Sequence, residues 1–113
     1  MLPQSQALPA SLATLLVLSP VVEELVFRAG LQEALLRRAG TAAARRTWPA
    51  NAITALAFAT AHLLLRPGIT AALTLLPALA CGHLYAQRRQ IAPCIALHAL
   101  FNAAWLLGAP RLA

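Results

Sequence analysis

Long apolar stretches alternate with short basic segments along this chain. Four windows contain no Arg or Glu and cover residues 1–22, 47–65, 67–87 and 90–110. A helix that rises 1.5 Å per residue needs about 20 apolar residues to cross a hydrocarbon core about 30 Å thick. The last three windows lack the polar stripe of a helix in a soluble bundle. Because the bilayer core tolerates no unpaired backbone groups, the pattern predicts an all-α protein, a polytopic transmembrane helical bundle of about four helices.

Helix-breaking residues divide this bundle into elements. The helices are expected at residues 10–38, 48–65, 69–87 and 91–107. A kink is expected at Pro20, which has no backbone N–H, and Gly40 is expected to stop the first helix. Residues 66–68 form the predicted turn before the third helix, which carries Pro77, and Gly108 marks the predicted end of the fourth.

Composition supports a membrane protein. Of the 113 residues, 60% are hydrophobic and 11% are charged, whereas soluble domains have roughly 25% charged residues. The net charge of +6 comes from nine Arg and three Glu. Six of the Arg form doublets beside the apolar windows, at 37–38, 45–46 and 88–89. Anionic lipid headgroups and the positive-inside bias favour this arrangement, so we expect the lipid bilayer as a partner, no nucleic acid, and an N-terminus outside.

The remaining composition narrows the protein class. The length fits a single domain over residues 1–113. The first window lacks the basic leading region and the small-residue cleavage site of a signal peptide. Cys81 and Cys94 lie inside apolar windows and are too few for a disulfide scaffold. Abundant Ala, Arg, Leu and Pro without Lys is typical of a GC-rich genome, so a multi-pass protein of a prokaryotic cytoplasmic membrane is expected.

Three charged residues lie around the middle of the first predicted helix, namely Glu23, Glu24 and Arg28. A charge at bilayer depth costs about 2.5–3.5 kcal/mol, so such residues face a protein interior and have partners. The i,i+4 spacing allows Glu24 to pair with Arg28, whereas Glu23 is rotated about 100° away. Glu23 is therefore expected to lack a cation partner, although a purely structural ion cluster is an equally good interpretation of this segment.

The three histidines, His62, His83 and His98, also lie in apolar windows. A single His on an apolar helix is more often a hydrogen-bonded core residue than a catalytic one. Two of these histidines have a neighbour at helical spacing: Phe58 precedes His62 by four residues and is expected to fix its ring, and Asn102 follows His98 by four residues. His83 is expected to have no catalytic role.

These polar residues form a set that can hydrolyse a carbonyl compound, with a peptide bond as the leading candidate. Glu23 with a histidine can hold and deprotonate a water molecule. A second histidine and Asn102 can donate hydrogen bonds to an oxyanion. A metal site built from Glu and two His is the rival interpretation. The zinc-protease motif, with two His at i,i+4 around a Glu, is absent from the sequence, so no metal or other cofactor is expected.

At these residues the sequence resembles a known family. Residues 23–28, EELVFR, resemble an EExxxR motif, residues 58–62, FATAH, resemble FxxxH, and residues 98–102, HALFN, resemble HxxxN. Their order and their positions in successive hydrophobic segments resemble the CPBP group of intramembrane proteases, which comprises CAAX proteases and bacteriocin-processing enzymes and is also called the Abi family. The resemblance covers about residues 20–107.

The resemblance implies an intramembrane endopeptidase whose substrate is a membrane-associated peptide or protein. In the family, a Glu and a His activate the water, which carries over to Glu23 and His62. Oxyanion stabilisation carries over to His98 and Asn102. The positions expected to be supporting or structural are Glu24, Arg28 and Phe58. The resemblance also implies catalysis without a metal, in a polar intramembrane cavity.

Two alternatives stay open at this point. The first is a metal-dependent membrane hydrolase that uses the same Glu and His residues. The second is a membrane scaffold or bacteriocin immunity protein without enzymatic activity, in which the polar cluster serves helix packing. Relatives carry more helices than the four expected here, so the chain resembles the core that the family shares.

Overall fold

The described part of the chain is helical and contains no strand. The computed structural model describes the backbone of residues 12–43 and 46–112, and the side chains of residues 12–39 and 46–108. We number the helices α1 (residues 12–43), α2 (Trp48–Leu65), α3 (Ile69–Arg88) and α4 (Ile91–Leu112). The prediction of an all-α bundle of about four helices is confirmed.

Three segments are long and apolar enough to cross a membrane, and they comprise α2, α3 and residues Ile91–Gly108 of α4. Large hydrophobic side chains point away from the bundle on each of them, including Leu64, Leu76 and Leu100. A bilayer removes such surface from water, whereas water would leave it unfavourably hydrated. The chain is an integral membrane protein.

Helix α1 changes its winding around Pro20. It comprises two π-helical segments, Thr14–Leu18 and Leu25–Gln32, separated by the α-helical turns Ser19–Glu24 and followed by Glu33–Ala43. The N–H of Ser19 bonds to the carbonyl of Thr14, five residues back. Proline cannot donate the next bond of this series. The position expected to kink therefore lies at a change from π-helical to α-helical turns.

Two predicted helix ends are wrong. Helix α1 continues through Gly40 to Ala43, and α4 continues through Gly108 to Leu112. A glycine costs a helix only about 1 kcal/mol relative to alanine, and good helix formers precede each of these glycines. The expected start of the first helix, near residue 10, lies outside the described residues.

The third helix is broken one turn before its proline. Its two parts are Ile69–Leu73 and Leu75–Arg88, with Thr74 in a turn between them. Pro77 has no N–H to offer the carbonyl of Leu73, four residues earlier, which explains a break at this place. At the break, the hydroxyl of Thr74 donates a hydrogen bond of 2.5 Å to the carbonyl of Ala71.

Small residues allow α1 and α2 to approach the backbone of α3 closely. A Cβ atom added to Gly82 would lie 1.8 Å from Oδ1 of Asn51. Where these helices come close to α3, two side-chain amides and one guanidinium donate hydrogen bonds to its backbone carbonyls. The bonds are Arg28 to Ala78 (2.8 Å), Gln32 to Gly82 (2.9 Å) and Asn51 to Leu79 (3.0 Å). These bonds fix the positions of α1 and α2 along α3.

A second polar cluster joins α1 to the turn between α3 and α4. The carboxylate of Glu33 accepts hydrogen bonds from Tyr85 (2.6 Å), Arg89 (2.8 Å) and Arg37 (2.9 Å). Arg89 adopts a left-handed backbone conformation with φ 53°, which reverses the chain so that α4 packs beside α3. The hydrogen bond from Arg89 holds the pKa of Glu33 well below its usual range, at about 2.

Candidate active site

The carboxylate of Glu23 lies between two imidazole rings. Its Oε1 is 3.6 Å from Nε2 of His62 on α2 and 3.5 Å from Nε2 of His98 on α4. Both gaps are longer than a direct hydrogen bond, which spans about 2.7–3.2 Å. Three residues that are distant in the sequence therefore meet around one carboxylate oxygen.

A backbone hydrogen bond orients His62. Its Nδ1 lies 2.8 Å from the carbonyl oxygen of Phe58, one turn earlier in α2. A carbonyl only accepts hydrogen bonds, so Nδ1 carries the hydrogen, and the neutral ring presents its unprotonated Nε2 to Glu23. The local helix geometry thus selects the tautomer in which His62 can accept a hydrogen bond on the side of Glu23.

A carboxylate orients His98 in the same way. Nδ1 of His98 lies 2.8 Å from Oε2 of Glu24, and the Glu24 side chain is fully buried. An ionised carboxylate accepts a hydrogen from Nδ1, which again directs Nε2 of the ring towards Glu23. The adjacent residues Glu23 and Glu24 therefore face opposite nitrogens of one imidazole.

Glu24 also forms an ion pair with Arg28 in the interior of the bundle. Oε1 of Glu24 lies 3.1 Å from Nε of Arg28, and these side chains are 0% and 1% exposed. The pair does not have hydrogen-bond geometry, so Coulomb attraction is its main component. The Arg28 guanidinium is held by the carbonyl of Ala78 instead. The structure thus gives Glu24, and not Glu23, the arginine partner that the i,i+4 spacing predicts.

Asn102 lies one turn beyond His98 on α4 and is tied to α1. Its Nδ2 donates to the backbone carbonyl of Leu15 at 2.7 Å. Leu15 lies in the first π-helical segment, where the matching donor five residues on would be Pro20, which has no N–H. The amide therefore satisfies a carbonyl that the proline leaves without a partner. The second hydrogen of Nδ2 is not used by this bond.

The ring of Phe58 packs against the aromatic groups of the site. Its centroid lies 4.3 Å from that of His62, 5.0 Å from that of Phe27 and 5.8 Å from that of His98. Phe58 is buried, together with Ala55 and Ala78. This apolar wall lies against both imidazoles from one side.

The site opens at the surface of the bundle. The side chains of Glu23 and His62 are 27% and 33% exposed. Apolar cavities near residues 35–53 and 13–21 lie elsewhere. His83 is exposed and contacts Gln87 at 3.1 Å, away from Glu23.

Within the described residues, no group of three His, Cys, Asp or Glu side chains has an arrangement that could hold a metal ion.

Two residues that support the site were missed by sequence analysis. Gln32 and Asn51 are the amides that join α1 and α2 to the backbone of α3. Gln32 follows Arg28 by four residues, so the series Glu24, Arg28 and Gln32 lies on one face of α1. That spacing is a signal that could have identified Gln32. Asn51, a polar residue in an apolar window, could have been noted for the same reason as the histidines.

Comparison with protein-family models gives a match that covers most of the chain. Residues 5–104 match the family described as type II CAAX prenyl endopeptidase Rce1-like. No curated protein and no solved structure matches the chain. The matched range contains all of the residues that meet around Glu23, together with Gln32 and Asn51, which donate to the backbone of α3.

Proposed function

The chain belongs to the type II CAAX prenyl endopeptidase Rce1-like family, and on that premise we propose that it hydrolyses a peptide bond of a membrane-associated substrate with a water activated by Glu23 and His62. The observation that carries this proposal is the position of Glu23 Oε1, 3.6 Å and 3.5 Å from two imidazole nitrogens. The family is one of membrane proteases, so the general class of reaction follows from membership.

In the proposed reaction, Glu23 is the general base. A water molecule beside both residues donates one hydrogen bond to Oε1 of Glu23 and one to Nε2 of His62. Nε2 can accept this bond because the hydrogen of the ring is on Nδ1, which is bonded to Phe58. As the water oxygen attacks the scissile carbonyl, its proton passes to Glu23. The same proton then passes to the leaving nitrogen as the C–N bond breaks, which regenerates the carboxylate.

His98 and Asn102 are proposed to stabilise the oxyanion that forms on the carbonyl oxygen. Because Glu24 holds Nδ1 of His98, Nε2 of the ring is directed towards the site, and it donates to the oxyanion when it carries a hydrogen. The Nδ2 hydrogen of Asn102 that Leu15 does not use is the second donor. Donors of this kind contribute about 2.7–4 kcal/mol each when they are preorganised, and the bonds to Glu24 and Leu15 supply that preorganisation.

The proposed cellular setting is a prokaryotic cytoplasmic membrane. The arginine-rich end of the bundle, which contains Arg38, Arg46 and Arg88, would face the cytoplasm under the positive-inside rule. The substrate is proposed to be a peptide or protein held at the same membrane. The reason is that the proposed catalytic groups lie on helices whose outer faces carry exposed leucines, which suit contact with lipid.

Quantitative mass spectrometry of membrane proteins tests this function. Cells that carry the wild type are compared with cells that carry Glu23→Gln, and peptides from membrane proteins are searched for new termini. We expect new termini in the wild-type cells that are absent from the Glu23→Gln cells. We also expect the purified enzyme to cleave the same substrates after treatment with a chelator. Identical termini in both strains would contradict the proposal and support a scaffold, and loss of cleavage after chelation would support a metal-dependent hydrolase.

A further inference from the structure

An apolar groove with a cation at its mouth lies at the arginine-rich end of the bundle, away from the catalytic groups. It has a volume of about 260 Å³ and runs between the end of α1 and the start of α2. Its lining includes Leu35, Ala39, Arg46, Pro49, Ala50 and Ile53. We call it the Arg46 groove.

The groove has a charged end and an apolar end, as a membrane lipid does. Arg46 precedes the first turn of α2, Pro49 and Ala50 lie in that turn, and Ile53 lies one turn further in. The apolar part therefore extends about 8 Å along α2 from its start, at 1.5 Å per residue. Trp48, beside Arg46, is 68% exposed, and exposed Trp side chains are enriched at the headgroup level of a bilayer.

The carboxylates of the chain are already engaged elsewhere. The sequence contains three Glu and no Asp. Glu23 faces two histidines, Glu24 pairs with Arg28, and Glu33 binds Arg37 and Arg89. Arg46 is exposed and forms no ion pair with a Glu side chain. The charge of Arg46 is therefore available to an anionic ligand.

We propose that the Arg46 groove binds one acyl chain of an anionic phospholipid, whose phosphate contacts Arg46. Charge complementarity selects the headgroup, because a basic side chain near an anionic membrane surface contributes about 1 kcal/mol. The apolar lining selects the chain, which would fill the space between Leu35 on α1 and Ile53 on α2. Such a lipid would pack against both helices and stabilise their contact.

Native mass spectrometry of the full chain in a non-ionic detergent tests the proposal. The protein is titrated with phosphatidylglycerol and with phosphatidylcholine that carry the same acyl chains. We expect about a fivefold preference for phosphatidylglycerol, which corresponds to the contribution of one basic residue. Arg46→Gln removes this preference, whereas Arg88→Gln, an exposed arginine at the same end but outside the groove, retains it.

A second pair of variants tests the apolar part. Ala39→Phe fills the groove and is expected to reduce binding of both lipids, whereas Ala34→Phe, at an exposed position of α1 outside the groove, leaves binding unchanged. Melting temperatures without added lipid show whether each variant is folded, and if Ala39→Phe is not, the Arg46 and Arg88 variants decide the question.

Several results would overturn the proposal. Equal binding of the two lipids, or equal effects of Arg46→Gln and Arg88→Gln, would indicate lipids that surround the protein without a specific site. Displacement of phosphatidylglycerol by glycerol phosphate would indicate a site for the phosphate group alone. A dimer that Ala39→Phe dissociates and that excludes lipid would assign the groove to a second copy of the chain.

Discussion

The side-chain amide of Asn102 donates a hydrogen bond of 2.7 Å to the backbone carbonyl of Leu15. The bond joins the last residue of the proposed catalytic set to the first turns of the described chain. It exists because Pro20 cannot donate the backbone bond that the π-helical register of Thr14–Leu18 would use. A proline in α1 thus determines how an amide on α4 is held.

A double-mutant cycle tests this relation. Asn102→Ala leaves the Leu15 carbonyl without its donor and should reduce the free energy of unfolding by about 1–3 kcal/mol. Pro20→Ala restores a backbone N–H at residue 20, so the same Asn102 substitution should cost clearly less in that background. Thermal or denaturant unfolding in detergent measures each corner of the cycle. Equal penalties in both backgrounds would show that Pro20 and Asn102 are not coupled.

The buried pair of Glu24 and Arg28 is expected to behave as one unit for stability. Arg28→Met leaves the Glu24 carboxylate buried with only His98 beside it, and should cost about 3–5 kcal/mol. The double variant Glu24→Gln, Arg28→Met removes both charges and should recover part of that loss. Melting temperatures of the purified variants in detergent measure the difference. A single and a double variant both as stable as the wild type would contradict this interpretation.

Gly82 is expected to leave the space in which the side chain of Asn51 reaches the backbone of α3. In Gly82→Ala the new methyl group would lie 1.8 Å from Oδ1 of Asn51, so Asn51 must move and lose its bond to Leu79. Overpacking of this kind costs about 1–3 kcal/mol, and Asn51→Ala in addition should relieve part of it. Gly108→Ala is the matched control, because no atom of the described residues comes within 4 Å of a Cβ added there. Equal melting temperatures for the two glycine variants would exclude this packing role.

The Glu33 cluster predicts a dependence of stability on pH. The bond from Arg89 lowers the pKa of Glu33 from its ordinary 4.5 to about 2. A carboxylate with a lowered pKa contributes stability that is fully present above 4.5 and is lost as the pH falls towards 2. Wild type should therefore be more stable than Glu33→Gln at neutral pH, and this difference should shrink between pH 4.5 and 2. A difference that stays constant over this range would contradict the assignment.

Much of the fold follows from the sequence because a bilayer restricts what a chain can do. Apolar windows long enough to cross it must be helical, and a charged side chain at bilayer depth must face a protein interior and have partners. The meeting of Glu23, His62 and His98 follows from this restriction, and so does the choice of Glu24 as the partner of Arg28.

Other features depend on information that local sequence patterns do not contain. The tie between Asn102 and Leu15 requires the π-helical register of α1, which the pattern of apolar residues does not specify. The bonds from Gln32 and Asn51 to α3 depend on how closely the helices approach at Gly82. The helix ends at Ala43 and Leu112 lie beyond glycines, because a glycine weakens a helix without stopping it.

The role of Glu23 as the general base is the central claim, and single-turnover cleavage of a substrate peptide by purified Glu23→Gln tests it most directly. Gln keeps the size of the side chain but cannot accept the proton of the attacking water. We expect the cleavage rate to fall by about 100-fold or more, at an unchanged melting temperature, while the control Glu33→Gln cleaves at the wild-type rate. A Glu23→Gln enzyme that cleaves as fast as the wild type would contradict the claim.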